Sequence, residues 1–175
     1  MVLGPADSVT YVERAGGRIV GSTDSFDVLV VADESGYPLL ETLDAVLSSV
    51  CRSLDRGRPV QFVLPNPDRL YPTGDGGFGL AAGSIALMLE AALEGRYPQS
   101  KHRFARLGKP HAAIFDEALR RSGSRNMVMI GDQLDTDIAG AASFGIDSAW
   151  ITSGVTIHAP LAGGVRPTFR LLSLD

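Results

Sequence analysis

Two acidic residues, Asp132 and Asp137, frame the string Gly131-Asp132-Gln133-Leu134-Asp135-Thr136-Asp137, which follows the apolar run Met127-Val128-Met129-Ile130. An apolar strand ending at Gly131 puts Asp132 at the carboxyl end of the strand, where open α/β sheets bind their ligands. Asp137 follows at the start of a helix. Carboxylates gathered around one strand end suit a hard cation such as Mg²⁺, which takes oxygen ligands and keeps several waters. Gly131 allows close approach of the backbone. The same residue types also make ordinary turns, with Asp132 as a turn former and Asp135 and Thr136 as helix caps. The position after an apolar strand and before a helix and a second strand favours the ligand reading. A second signal is Leu107-Gly108-Lys109-Pro110-His111. Pro110 fits the first turn of a helix. Lys109 then lies just before a helix N-terminus, where it can neutralise a phosphate or hold a carboxylate pair together. Alone it would be a solvated lysine; ahead of a strand ending in GDxxxTD it is more specific.

The elements that must position these residues alternate between strand and helix. Residues 8–15 read as a helix capped by Asp7 or Ser8, and 18–20 as a short strand. The run 27–33 is rich in Val, as a strand buried on both faces should be. Apolar residues at Leu39, Leu40, Leu43, Val46, Leu47, Val50 and Leu54 have helical spacing. A strand at 60–64, a Pro- and Gly-rich loop at 65–79 and a helix at 83–93 follow. The polar stretch 95–106 reads as a linker. Beyond it come a helix at 111–121, a strand at 126–130, a helix at 137–144 ended by Gly145, and strands at 148–152 and 168–172. This alternation predicts an α/β fold with a mainly parallel sheet and crossover helices.

Composition excludes several classes. With 45% hydrophobic and 21% charged residues, the 175-residue chain is expected to fold rather than stay disordered. A net charge of −4 argues against a nucleic-acid binder. The longest apolar-rich stretch, 85–93, contains Glu90 and is too short to span a bilayer, and residues 1–5 have no signal-peptide pattern; a cytoplasmic protein without membrane partners is expected. Cys51, the one cysteine, sits in an apolar-periodic stretch and reads as a small core residue. His102, His111 and His158 lack partners at zinc-ligand spacing, and Trp150 reads as core.

Taken together, Gly108-Lys109-Pro110 and Gly131-Asp132-Gln133-Leu134-Asp135-Thr136-Asp137-Ile138 resemble motifs III and IV of haloacid-dehalogenase (HAD) superfamily phosphatases of subclass IIA, the NagD-like and p-nitrophenylphosphatase-like group. Asn66-Pro67-Asp68 with Gly83-Ser84-Ile85-Ala86 resembles the end of that group's cap, and residues 27–33, Gly154-Val155 and Arg166-Pro167 fit its pattern. The resemblance implies a Rossmannoid three-layer α/β/α fold: an α/β cap region of the C2 type over 1–100 and a partial core over 101–175. It implies a phosphatase of small phosphorylated metabolites that works through an aspartyl-phosphate, with Mg²⁺ offsetting charge on the phosphoryl group. By position, Lys109 would be catalytic, steadying phosphate and nucleophile. Asp132 and Asp137 would form the metal site, Asp132 as the metal carboxylate and Asp137 supporting the metal shell or Lys109, and Asn66, Asp68 and Gly131 would shape substrate binding.

The sequence departs from that family in two respects: no apolar run ending in DxDGT, the family's nucleophile, is present, and the threonine or serine motif that normally follows the first strand is also missing. Val30-Val31-Ala32-Asp33-Glu34-Ser35-Gly36 imitates the nucleophile run but has Ser35 where the second aspartate belongs. The chain is therefore expected to be incomplete or inactive as a phosphatase by itself. The alternative is a non-catalytic α/β remnant that keeps a phosphate or Mg²⁺ pocket or acts through protein interaction. A flavodoxin-like or receiver-like fold, which also places aspartates at strand ends, is disfavoured because Lys109 precedes Asp132, opposite to the usual receiver order. In the family the missing strand would lie beside 126–130, so that strand's open edge is expected to be covered through a homodimer, rearranged elements or an N-terminal segment of a longer protein.

Overall fold

The computed structural model describes residues 1–74, 76–153 and 165–174. They form two compact units, one of Met1–Leu70 with Leu80–Arg106, the other of Tyr71–Gly79 with Leu107–Asp175.

The first unit is built on a four-stranded sheet in the order β1-β2-β3-β6, from Val2–Leu3, Val28–Val31, Gln61–Leu64 and Ala105–Arg106. Every pairing in it is parallel. Parallel strands need crossovers, and these are helices. Helix α1 (Ala6–Arg14) and α2 (Leu39–Asp55) lead to β2 and β3, and α3 (Ala82–Arg96) precedes β6. In α2 the buried residues Leu43, Val46 and Val50 recur at helical spacing, so one stripe faces the core. They pack with Leu3, Leu29, Val31 and Leu64 of the strands and with Ile85, Leu89 and Leu93 of α3. Cys51 is half-buried against this core.

Within the apolar helix α3 sits Glu90, only 4% exposed. Its carboxylate accepts a hydrogen bond from the Phe104 backbone N–H at 2.8 Å and lies 3.4 Å from the Arg106 guanidinium. A buried carboxylate is tolerable when so engaged. Here it fixes the approach to β6.

The second unit carries a three-stranded parallel sheet, β7-β8-β9, from Val128–Gly131, Asp147–Ile151 and Phe169–Leu171. Helix α4 (Ala112–Ser122) precedes β7. A π-helical turn (Leu134–Ile138) running into α5 (Ala139–Phe144) connects β7 to β8. Phe115 of α4 and Phe144 of α5 stack at 5.4 Å. Residues in register share a face of a sheet. One face therefore holds the row Gly131, Trp150 and Arg170. The other holds Val128, Ile130, Phe169 and Leu171, which are 46%, 46%, 54% and 38% exposed. Among the described residues no strand pairs with the outer edge of β7.

Several sequence expectations need correction. The stretch 18–20 is not a strand, and β1 was not foreseen because two residues carry no periodicity. The expected loop 65–79 contains a two-stranded ribbon, β4 (Leu70–Pro72) with β5 (Phe78–Leu80). The expected linker ends in β6. Helix α1 is capped by Pro5 without a side-chain hydrogen bond, so neither Asp7 nor Ser8 caps it. Trp150 is half-buried rather than core. Gly154-Val155 and His158 lie outside the described residues.

Candidate functional site

Local sequence brings four of the expected residues together in the second unit. Strand β7 ends at Gly131, and the chain turns at Asp132 into the π-helical turn. Inside that turn the backbone N–H groups of Asp137 and Ile138 both donate to the Gln133 carbonyl, at 2.9 and 3.3 Å. In return the Gln133 N–H donates to Asp137 Oδ2 at 3.1 Å. The reciprocal bonds fold the Asp137 side chain back toward the strand end. A side chain at position 131 would collide there with the Asp137 carboxylate, so only glycine fits, for reasons of space rather than backbone conformation. π-Helical insertions of this kind often mark functional sites.

Lys109 arrives from the other direction. It precedes α4, whose first residue is Ala112 and whose N-cap is His111. Pro110, expected in the first turn, thus lies just outside the helix. The Lys109–Pro110 peptide is cis. A Cβ on Gly140 of α5 would come within 2.8 Å of the Phe115 ring and 3.0 Å of Pro110 Cα, so this glycine lets α5 pack directly on the Lys109-Pro110 segment. The result is an ion pair between Lys109 Nζ and Asp137 Oδ1 at 2.7 Å, with the carboxylate side chain 2% exposed and the lysine 24%. Opposite charges this close and this little exposed to water attract more strongly than a surface pair does.

The half-buried Asp132 is fixed through its main chain: Trp150 Nε1 on β8 donates to its carbonyl oxygen at 3.1 Å. Neither Gln133, Gly140 nor Trp150 was singled out by sequence reasoning as part of this arrangement. Gly140 left a faint trace as one more glycine in an Ala-rich helix. The Trp150 contact depends on strand register, which the sequence does not display.

Asn66 and Asp68 belong to the first unit. Asn66 Oδ1 accepts from the Asp68 N–H at 3.1 Å, and the Asp68 carbonyl accepts from the Gly83 N–H at 2.8 Å. A side chain at Gly83 would strike the Pro67 and Asp68 carbonyls. Ser84 Oγ donates to the Arg69 carbonyl at 2.6 Å. Asn66-Pro67-Asp68 is thereby fastened to the start of α3. Asp33 also lies in the first unit, after β2. Its Oδ1 accepts from the Ser35 N–H at 2.9 Å and the Ser35 hydroxyl at 2.7 Å, an ordinary side-chain-supported turn. Tyr37 donates to the Asp33 carbonyl, and burial pushes its hydroxyl pKa up to about 12, aided by the Asp33 and Glu34 carboxylates.

Among the described residues no three His, Cys, Asp or Glu side chains converge to cage a metal. Mg²⁺ does not require a cage; one or two carboxylates with waters and a phosphoryl oxygen suffice. Both Asp137 oxygens are engaged, by Lys109 and by the Gln133 N–H. Asp132 stands just past the carboxyl end of β7, where such sheets bind their ligands, and the buried Thr136 hydroxyl has no hydrogen-bond partner among the described residues. The donor set fits a cation held by one carboxylate and shared with a bound anion.

Residues 106–175 match the family model described as HAD-hydrolase-like. The chain is 28% identical over 176 residues to a dihydroxyacetone phosphatase of Corynebacterium glutamicum, which covers 99% of this chain and 58% of that protein. It superposes on a p-nitrophenyl phosphatase from Archaeoglobus fulgidus with a TM-score of 0.71 at 24% identity, over 98% of this chain and 63% of that one. A glycerol phosphate phosphatase from Mycobacterium tuberculosis in complex with magnesium gives a TM-score of 0.68 at 26% identity, over 97% of this chain and 48% of that one. The chain thus spans about half to two thirds of the length of these proteins.

Proposed function

We propose that the chain, whose residues 106–175 match the HAD-hydrolase-like family model, is of the NagD-like and p-nitrophenylphosphatase-like group, and that its second unit binds the phosphate of a small phosphorylated metabolite together with Mg²⁺. The observation that carries this reading is the convergence of Lys109, Gly131 and Asp137 at the end of β7, beside Asp132. Lys109 supplies the positive charge for a phosphoryl oxygen. Asp137 acts through Lys109, holding its ammonium in place. Asp132 is the carboxylate for the cation. When bound, Mg²⁺ would neutralise charge on the phosphoryl group. Within the first unit, read as the cap, the turn Asn66-Pro67-Asp68 is the candidate substrate-binding segment. The names of the relatives point to three-carbon phosphates, of the dihydroxyacetone or glycerol type, as the substrate class to test first.

Turnover needs a nucleophile as well, and these 175 residues contain no DxDGT. The reading is therefore a phosphate- and Mg²⁺-binding unit with little hydrolysis of its own. Calorimetry with inorganic phosphate and Mg²⁺ should show saturable binding that Lys109→Met and Asp132→Asn each remove. Assays with p-nitrophenyl phosphate and Mg²⁺ should show no appreciable turnover. Turnover abolished by Asp33→Asn would restore Asp33 as the nucleophile. Phosphate and Mg²⁺ binding indifferent to both substitutions in the second unit would end the assignment.

A further inference from the structure

The sequence contains a single tryptophan, and it touches the candidate site. Trp150 stands opposite Gly131 in the β7–β8 register and opposite Arg170 in the β8–β9 register. The three form a row across one face of the sheet, with the Arg170 guanidinium 5.4 Å from the centre of the indole ring. The row has an unusual composition. At one end a glycine is required because the Asp137 carboxylate fills the space of its side chain. In the middle a half-buried indole turns its one N–H toward the main chain of Asp132, the residue after Gly131, instead of toward water. At the other end a cation lies over the ring, an arrangement that restrains the ring plane. Packing alone would be served by any large apolar side chain at position 150. The 3.1 Å bond to the Asp132 carbonyl would not. It clamps the peptide at the point where the chain leaves the strand and the Asp132 carboxylate is aimed.

We propose that Trp150 is a positioning residue for Asp132 and that its indole reports occupation of the cation site. The proposal rests on the reading of Asp132 as the cation ligand. Without the indole N–H, the Asp132 carbonyl loses its partner on β8 and the carboxylate loses part of its preorganisation. The cost would fall on cation affinity, not on anion charge complementarity, which belongs to Lys109.

The test uses the whole 175-residue chain and Mg²⁺, in the presence of saturating inorganic phosphate. Mg²⁺ titration should change Trp150 emission saturably, with the midpoint that calorimetry gives, and Asp132→Asn should abolish both signals. Trp150→Phe keeps a ring but no donor, and should weaken Mg²⁺ binding about fivefold, the effect of one net hydrogen bond. If Trp150→Phe does not fold, the indole N–H resonance of the unsubstituted protein carries the test, and should shift on Mg²⁺ saturation. A folded Trp150→Phe variant that binds Mg²⁺ as tightly as the parent would overturn the positioning role. So would an indole resonance unmoved by Mg²⁺ when calorimetry shows Asp132-dependent binding; in both cases the site itself survives. An absence of any Mg²⁺ binding would overturn the site reading and this inference with it.

Discussion

At the scale of single residues, Asp137 has the most constrained surroundings in the second unit. Its carboxylate is almost fully buried and is compensated by the Lys109 ammonium and the Gln133 N–H. An ion pair in such a place is a modest source of net stability, because desolvation offsets much of the attraction. Removing one partner is a different matter, since it leaves a buried charge without its counter-charge. Lys109→Met should therefore cost about 3 kcal/mol in urea unfolding. In the Lys109→Met/Asp137→Leu double variant, much of that loss should be recovered. A double variant no more stable than Lys109→Met would show that the pair is not what the single substitution breaks. Gly131→Ala should be as damaging as Lys109→Met, because the added methyl group and the Asp137 carboxylate cannot share the same space.

At the scale of elements, Glu90 decides how the chain enters β6. Its acceptor oxygen holds the Phe104 N–H, and its charge faces Arg103 and Arg106. Glu90→Ala should destabilise the protein by about 2 kcal/mol, since a buried N–H is left without an acceptor. Glu90→Gln, which can still accept, should lose about half as much. Equal losses from the two substitutions in chemical denaturation would rule out the hydrogen bond as the cause. In the sequence Glu90 looked only like an interruption of an apolar stretch, and this marks the limit of what was legible. Elements with their own periodicity or composition could be read: the Val-rich β2, the stripe of α2, the apolar β7. Elements defined by a partner could not. β1 and β6 are two residues each, and they are strands only because β2 and β3 supply the ladder. The ribbon of β4 and β5 was hidden by the prolines and glycines in and around it. The residues of the candidate site were visible because the carboxylates and the lysine are few and ordered along the chain. The contacts that aim them were not, since Trp150 meets Asp132 through strand register and Pro110 meets Gly140 through helix packing.

At the scale of the whole molecule, the sheet of the second unit is notable for what it leaves exposed. Parallel sheets are normally covered on both faces. Here Val128, Ile130, Phe169 and Leu171 share one face and remain substantially accessible, and among the described residues the outer edge of β7 is unpaired. An apolar face beside an open edge promotes association. The paired substitution Val128→Glu/Ile130→Glu should lower binding of a hydrophobic dye and raise the protein concentration at which light scattering begins. If the parent protein neither binds the dye nor scatters more than this variant, the face is covered in solution and the expectation fails.

The ribbon has a further consequence, in time rather than in space. Residues Tyr71–Gly79 interrupt the first unit but belong with the second. During synthesis they leave the ribosome long before the residues from Leu107 onward with which they are grouped. At roughly 5–20 residues per second, several seconds separate the two. For that interval the nascent chain presents Tyr71 and Phe78, which stay 42% and 57% exposed even after folding, to whatever chaperone or protease is near.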